Sequence, residues 1–279
     1  MSNKILVIGS NGTVGQELVN QLKAKGESLK LATSKSPSSS EYVQLNLVTG
    51  EGLDNAFDGV DRAFLLSPPG YADQYSLLSP AIAKAKEKGL KKVVLMTAMG
   101  ADADENSPFR RAELELIQSG LDYNIVRPNW FLQNFNTFWL HGIVEERKIN
   151  LPAGNASVSF IDSRDISSVV AKLLTTEEFK NQEFNITGAQ SVNHSDVATA
   201  ISNEIGEKLE YNDVEPKELR DALLAAGLPK DYVEFMLLIF SYLKEGYNSA
   251  VTTSVEEILG RKPISLQSYV KDFKNAWKK

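Results

Sequence analysis

The chain contains no cysteine, which excludes disulfides, thiol nucleophiles and Cys-based metal sites. Its only histidines, His141 and His194, lie far apart in sequence, so no histidine metal centre is expected. Long apolar runs are missing too. The longest, Phe235 to Phe240, is far short of the ~20 residues a bilayer requires. Positive charge is not in excess: 36 acidic against 30 basic residues give a net charge of −6. That disfavours a nucleic-acid or anionic-membrane surface, and neither partner is expected. The N-terminus shows no signal-peptide pattern, so a cytoplasmic location is the expectation.

What is present is ordinary globular composition: 279 residues, 42% apolar and 24% charged. Apolar runs at Ile5–Ile8, Leu29–Ala32, Tyr42–Leu45, Arg62–Leu66, Val93–Thr97 and Tyr123–Val126 are strand candidates. Helical patterns fall between most of them, for example Leu77, Leu78, Ile82 and Ala85 on one face. Strands alternating with helices imply a parallel sheet covered on both sides, wound by right-handed crossovers. Beyond residue 150 the texture changes. Short extended pieces (Val158–Ile161, Glu183–Ile186) alternate with helices at Asp165–Thr175 and Ser195–Ile205, and longer helical stretches follow near Pro216–Ala226 and Asp231–Glu245. The expected organisation is a nucleotide-binding domain over residues 1–150 and a smaller lobe over 151–279, partly intertwined with the first.

The first strand candidate runs directly into Gly9-Ser-Asn-Gly12-Thr-Val-Gly15, and a helix candidate (Thr13 to Lys25) runs directly out. Glycine permits the tight turn and the close approach of backbone to a pyrophosphate, and the helix N-terminus offers N–H groups to the phosphates. Gly9, Ser10, Asn11, Gly12, Thr13 and Val14 are therefore candidate cofactor contacts. Where NAD-type folds place an acid after the second strand, no acid occurs from Lys30 to Ser40. Ser34 and Lys35 stand there instead, hydroxyl and cation together, which suits a 2′-phosphate. NADP is favoured over NAD, although Lys is a less selective anion partner than a forked Arg.

Short-chain dehydrogenases usually carry Tyr-x-x-x-Lys as their proton donor. Here no tyrosine has lysine four residues on: Tyr71 is followed by Tyr75, and Tyr123 by Arg127. A quinone or cationic dye accepts hydride without an enzymic acid, so such an acceptor fits; a chain that binds cofactor without turnover also fits. Ser67, in the loop after the fourth strand, should pass the cofactor. Thr97 either bonds a nicotinamide or substrate carbonyl, or simply ends its strand. Asn129, Trp130 and Phe131 begin a segment, continuing through Phe135, Phe138 and Trp139, that forms either a wall for a flat substrate or a plain core stripe. Arg127 reads as a structural ion-pair partner, Glu113 and Arg111 as a solvated helix face, and Asp162 and Asp165 as helix-start carboxylates.

Several motifs together resemble the NmrA-like atypical short-chain dehydrogenases. They are the Gly9/Gly12/Gly15 loop, Phe64-Leu-Leu-Ser-Pro68, Ser119-Gly-Leu-Asp-Tyr123, Arg127-Pro-Asn-Trp-Phe131 with Asn134, Ser159-Phe-Ile-Asp-Ser-Arg-Asp165, Phe184-Asn-Ile-Thr-Gly188 and Leu259-Gly-Arg-Lys-Pro-Ile-Ser265. The resemblance runs nearly end to end. It implies a Rossmann-like doubly wound parallel α/β sheet with a smaller, intertwined C-terminal α/β lobe, and a cofactor cleft between them. It implies NADP, with NAD possible, held by Gly9 to Val14, Ser34–Lys35, Ser67, Thr97 and Asn129 to Phe131. Relatives include quinone, triphenylmethane-dye and azo reductases, which points to an aromatic or quinone-like small-molecule acceptor and a monomer or homodimer. The same family holds non-catalytic redox sensors that act through a protein partner. Relatives often carry Arg where Lys35 stands and an adenine-contacting Asp where Asn46 stands.

Overall fold

The computed structural model describes residues 4–37 and 39–278. Ser38, within the Ser34–Ser40 stretch, lies outside the described residues.

The first unit comprises Met1–Pro69, Asp73–Pro128 and Ser163–Ile186. Short apolar runs form its strands: β1 (Lys4–Val7), β2 (Ser28–Thr33), β3 (Tyr42–Gln44), β4 (Arg62–Leu65), β5 (Lys92–Met96) and β6 (Asp122–Pro128). Helices α1 (Thr13–Ala24), α2 (Leu53–Phe57), α3 (Gln74–Glu87) and α4 (Pro108–Gln118) connect them. The chain then returns with α5 (Ser163–Thr175) and β8 (Gln182–Ile186). All pairings are parallel, in the order β3-β2-β1-β4-β5-β6-β8. Parallel strands covered on both faces must be apolar on both faces, and Ile5, Leu6, Val7, Val93, Val94 and Leu95 are all buried. The order reverses between β1 and β4, and ligands of such sheets sit at that reversal, beyond the carboxyl ends of the strands.

The second unit comprises Gly70–Ala72, Asn129–Asp162 and Thr187–Lys279. Its two-stranded parallel sheet pairs β7 (Lys148–Leu151) with β9 (Glu210–Asp213). Helices α6 (His194–Ile205), α7 (Pro216–Ala225), α8 (Lys230–Lys244), α9 (Ser254–Leu259) and α10 (Leu266–Phe273) complete it. Its core gathers Phe135, Ile143, Leu151, Phe160, Ile201, Phe240, Tyr269 and Trp277. Trp277 is fully buried and donates its indole N–H to Phe135 O at 2.8 Å.

The extended piece Val158–Ile161 forms no ladder and makes isolated bridges, Val158 with Val192 and Ile161 with Phe131. Conversely, β7 and β9 are strands that periodicity did not mark. Each is four residues long and β9 is mostly exposed, so the alternation signal is weak and pairing across some sixty residues creates them. Among the described residues, no helix is long and apolar enough to cross a membrane.

Candidate functional site

The glycine loop leaves β1 at the strand-order reversal, and its geometry requires each glycine differently. Gly9 holds φ +70°, and a Cβ there would stand 3.0 Å from the Leu66 side chain. Gly12 donates its N–H to Gly9 O at 2.9 Å, closing the turn. At Gly15 a Cβ would lie 2.0 Å from Gly9 O, so helix and loop approach closer than any side chain permits. Gly12 is the N-cap of α1, and no side chain caps that N-terminus. An α-helix opens with N–H groups lacking intrahelical acceptors, and these attract an anion. Cradle and helix end together fit the pyrophosphate of a dinucleotide.

Other interactions hold the cradle. Ser10, buried, donates its hydroxyl to Ala32 O at 2.8 Å, tying the loop to β2. That proton is committed, so Ser10 offers a phosphate its backbone. Ser167 on α5 donates to Val14 O at 2.9 Å, anchoring the first turn of α1. Asn11 is exposed and accepts a hydrogen bond from the Tyr42 hydroxyl at 3.2 Å. Ser34 and Lys35 follow β2 and are exposed; the Lys35 backbone N–H donates to Thr33 Oγ1 at 3.2 Å. Among the described residues no carboxylate pairs with the Lys35 ammonium. Ser67, half-buried, follows β4. Asn46 turns its Oδ1 to the N–H groups of Val48 and Thr49 at 2.9 and 3.4 Å, closing a local turn.

Thr97 directly follows β5, but its side chain points away from solvent and is 5% exposed. Its hydroxyl donates to Glu113 Oε1 at 2.6 Å. With the proton given away, Oγ1 has only lone pairs for a ligand, so it does not donate to a carbonyl. Glu113 is not on a solvated face: its exposure is 0%. Arg127 reaches it through Nε at 2.8 Å and Nη2 at 2.6 Å, and Arg110 through Nη1 at 3.0 Å. Arg127 also binds Asp102 at 3.1 Å and, closely, Glu183. Burial works against the Arg127 charge, but the bonds and charges of Glu113, Glu183 and Asp102 outweigh it and hold the guanidinium more firmly protonated. Arg127 is thus the ion-pair partner its sequence context suggests. Arg111, by contrast, is exposed, with its guanidinium 3.8 Å from the Tyr75 ring centre.

In the second unit, Asn129 uses its whole amide. Nδ2 donates to Ser159 Oγ at 2.7 Å and Asn248 O at 2.8 Å. Oδ1 accepts from Trp130 N at 2.9 Å and Asn248 Nδ2 at 3.1 Å. Only its backbone remains for a ligand. The Trp130 ring is half-buried, 5.0 Å from Phe240 and 6.1 Å from Trp139 between centres. Phe131 is half-buried and Phe135 fully buried, whereas Phe138 is 73% exposed. The aromatic stripe is therefore part core and part surface. On α8, Val233, Phe240 and Leu243 are buried, while Phe235 and Ile239 are half-buried and Leu238 and Tyr242 exposed. Asp162 is buried and accepts from Gln133 Nε2 at 2.9 Å, immediately before α5 begins.

His194 stands at the first position of α6 with Tyr211 stacked on it at 5.4 Å and Phe160 edge-on at 5.4 Å. Neither ring nitrogen has a hydrogen-bond partner. Burial holds its pKa down at about 4, so the imidazole is neutral. Among the described residues no group of histidine and carboxylate side chains is arranged to hold a metal ion.

Strand order, cradle and family comparison agree. The model of the NmrA-like family matches residues 1–273. The chain belongs to the NmrA-like family. An NAD(P)H azoreductase from Xenophilus azovorans is 27% identical, the match covering 96% of both chains. Prestalk A differentiation protein A from Dictyostelium discoideum is 26% identical over 96% of this chain and 91% of that protein. Among solved structures, Citrobacter sp. triphenylmethane reductase complexed with NADP(H) superposes with a TM-score of 0.82 at 20% identity, over 96% of this chain and 99% of that one. At that identity the superposition speaks to the fold alone.

Proposed function

We propose that this NmrA-like protein is an NADP(H)-dependent reductase that passes hydride to a flat electrophile such as a quinone or azo compound. The observation that carries the reading is the Gly9–Gly15 cradle, opening an uncapped helix at the strand-order reversal. The names of NmrA-like relatives, an NAD(P)H azoreductase among them, support the chemistry.

The cofactor, when bound, supplies the hydride. The protein's part is to bind, orient and exclude water. Backbone N–H groups of Thr13 and Val14, at the start of α1, hold the pyrophosphate, and Ser34 with Lys35 holds the 2′-phosphate. Ser67, the Thr97 backbone and the backbone of Asn129 to Phe131 complete the set of contacts. With the Thr97 proton committed to Glu113, the strand end is not a proton donor. This favours acceptors whose reduced form needs no proton from the protein in the hydride step. The half-buried Trp130 ring suits an apolar planar acceptor.

The test is turnover. The purified protein is mixed with NADPH, and separately with NADH, and cofactor oxidation is followed with panels of quinones, azo dyes and triphenylmethane dyes. Turnover above the protein-free background, faster with NADPH and lost on Gly15→Ala, is expected. Tight NADPH binding with no turnover on any panel would replace this reading with that of a dinucleotide sensor.

A further inference from the structure

We propose that Tyr42 is a cofactor-specificity residue: its phenol fixes Asn11 with the amide nitrogen outward, as a donor for the 2′-phosphate of the dinucleotide. The inference rests on the NADP(H) reading above and names a residue that reading does not use.

The geometry begins with strand order. β1 and β3 flank β2, so their axes lie about 10 Å apart. Asn11 is in the loop leaving β1, and Tyr42 opens β3, opposite Leu31 of β2. A short side chain could not cross that distance. The Tyr42 arm does, and its hydroxyl donates to Asn11 Oδ1 at 3.2 Å. The bond spans the strand whose end releases Ser34 and Lys35. This is the half of a doubly wound sheet that receives the adenosine end of a dinucleotide.

An asparagine amide has two faces, an oxygen that accepts and a nitrogen that donates two protons. A free Asn11 would present either to a ligand. With the oxygen held by a hydroxyl donor, the nitrogen is left facing outward. Asn11 Nδ2 makes no hydrogen bond among the described residues, and the residue is exposed. A fixed N–H donor in the loop after β1, with Lys35 in the loop after the neighbouring strand β2, favours an anion such as a phosphate monoester. A ribose hydroxyl, which both donates and accepts, gains less from that arrangement. The local charges agree. The first acid after β2, Glu41, turns its carboxylate to Lys23 at 2.8 Å.

Equilibrium dissociation constants for NADPH and NADH decide the matter, measured by calorimetry on wild type, Tyr42→Phe, Asn11→Ala and the double variant. Tyr42→Phe is expected to weaken NADPH binding by about three- to tenfold, a fraction of a full charge-assisted bond, and NADH binding by less than about twofold. In the Asn11→Ala background, Tyr42→Phe is expected to have no further effect, because its action passes through Asn11. Equal weakening of both cofactors, or losses that add, would make Tyr42 a packing residue and overturn the inference. Wild type that prefers NADPH, with Tyr42→Phe unchanged, overturns the inference alone. Wild type that does not prefer NADPH overturns the NADP(H) reading with it.

Discussion

Replacing Arg127 with Met should be among the most destabilising single changes in the first unit. Met preserves much of the aliphatic stem, so the lost interactions are chiefly electrostatic. Glu113, at 0% exposure, would lose two of its four donors, keeping Thr97 and Arg110. Asp102 would lose its 3.1 Å partner, and Glu183 would keep only Arg110 at 3.3 Å. Two carboxylates, Glu113 and Glu183, would then share the Arg110 guanidinium, and Asp102 would be left without its ion-pair partner. Breaking a buried pair by removing one partner costs about 3–5 kcal/mol, because the remaining charge stays buried without compensation. Such a loss is a large part of the roughly 5–15 kcal/mol that holds a domain folded. With a urea slope of about 2–3 kcal/mol per molar, the midpoint should fall by roughly 1–2 M. The companion is Glu113→Gln with Arg127→Met, which removes the buried charge together with its partner. The double variant should lose clearly less than the sum of the two singles. A midpoint for Arg127→Met within about 0.3 M of wild type, roughly 1 kcal/mol, would refute the account of this network.

Gly15→Ala would drive a Cβ to 2.0 Å from Gly9 O; α1 must shift, so calorimetry should show weakened NADPH binding together with a loss of about 1–3 kcal/mol in thermal unfolding. Lys35→Asp should weaken NADPH more than NADH, and equal losses would remove Lys35 from the 2′-phosphate site. His194 supplies a pH dependence. Its pKa is about 4 in the fold against 6.5 for the ordinary imidazole, so the unfolded chain binds more protons between those values. Its contribution is fully present above pH 6.5 and is lost as pH falls towards 4, by about 3 kcal/mol. In urea titrations at pH 7 and pH 4.5, His194→Phe should show a smaller acid-induced drop than wild type; equal drops would mean that the imidazole does not drive the effect.

Much of this protein is legible locally. The glycine loop, the apolar strands and the helices between them are short-range patterns, each set by residues a few positions apart. They lead to a parallel sheet with a dinucleotide cradle on its first turn. The absence of an acid after β2 and of Tyr-x-x-x-Lys is legible in the same way. Pairing between distant segments was not legible. Glu113 shows helical spacing compatible with solvent, and only the arrival of Arg127 from β6 and Thr97 from β5 makes a buried carboxylate tolerable there. Asn129 looks available in sequence, yet Ser159, Asn248 and the Trp130 N–H take its entire side-chain amide. β7 and β9 carry little intrinsic strand signal and exist through each other. The return of α5 and β8 to the first unit follows from the same kind of contact: Ser167 reaches Val14 across more than 150 residues. Local sequence sets most of the helices, the strands of the large sheet and the chemistry of the glycine loop, because those depend on neighbours in the chain. Tertiary structure decided which polar groups are spent and which remain for a ligand, because a hydrogen bond depends on what the fold brings within 3 Å.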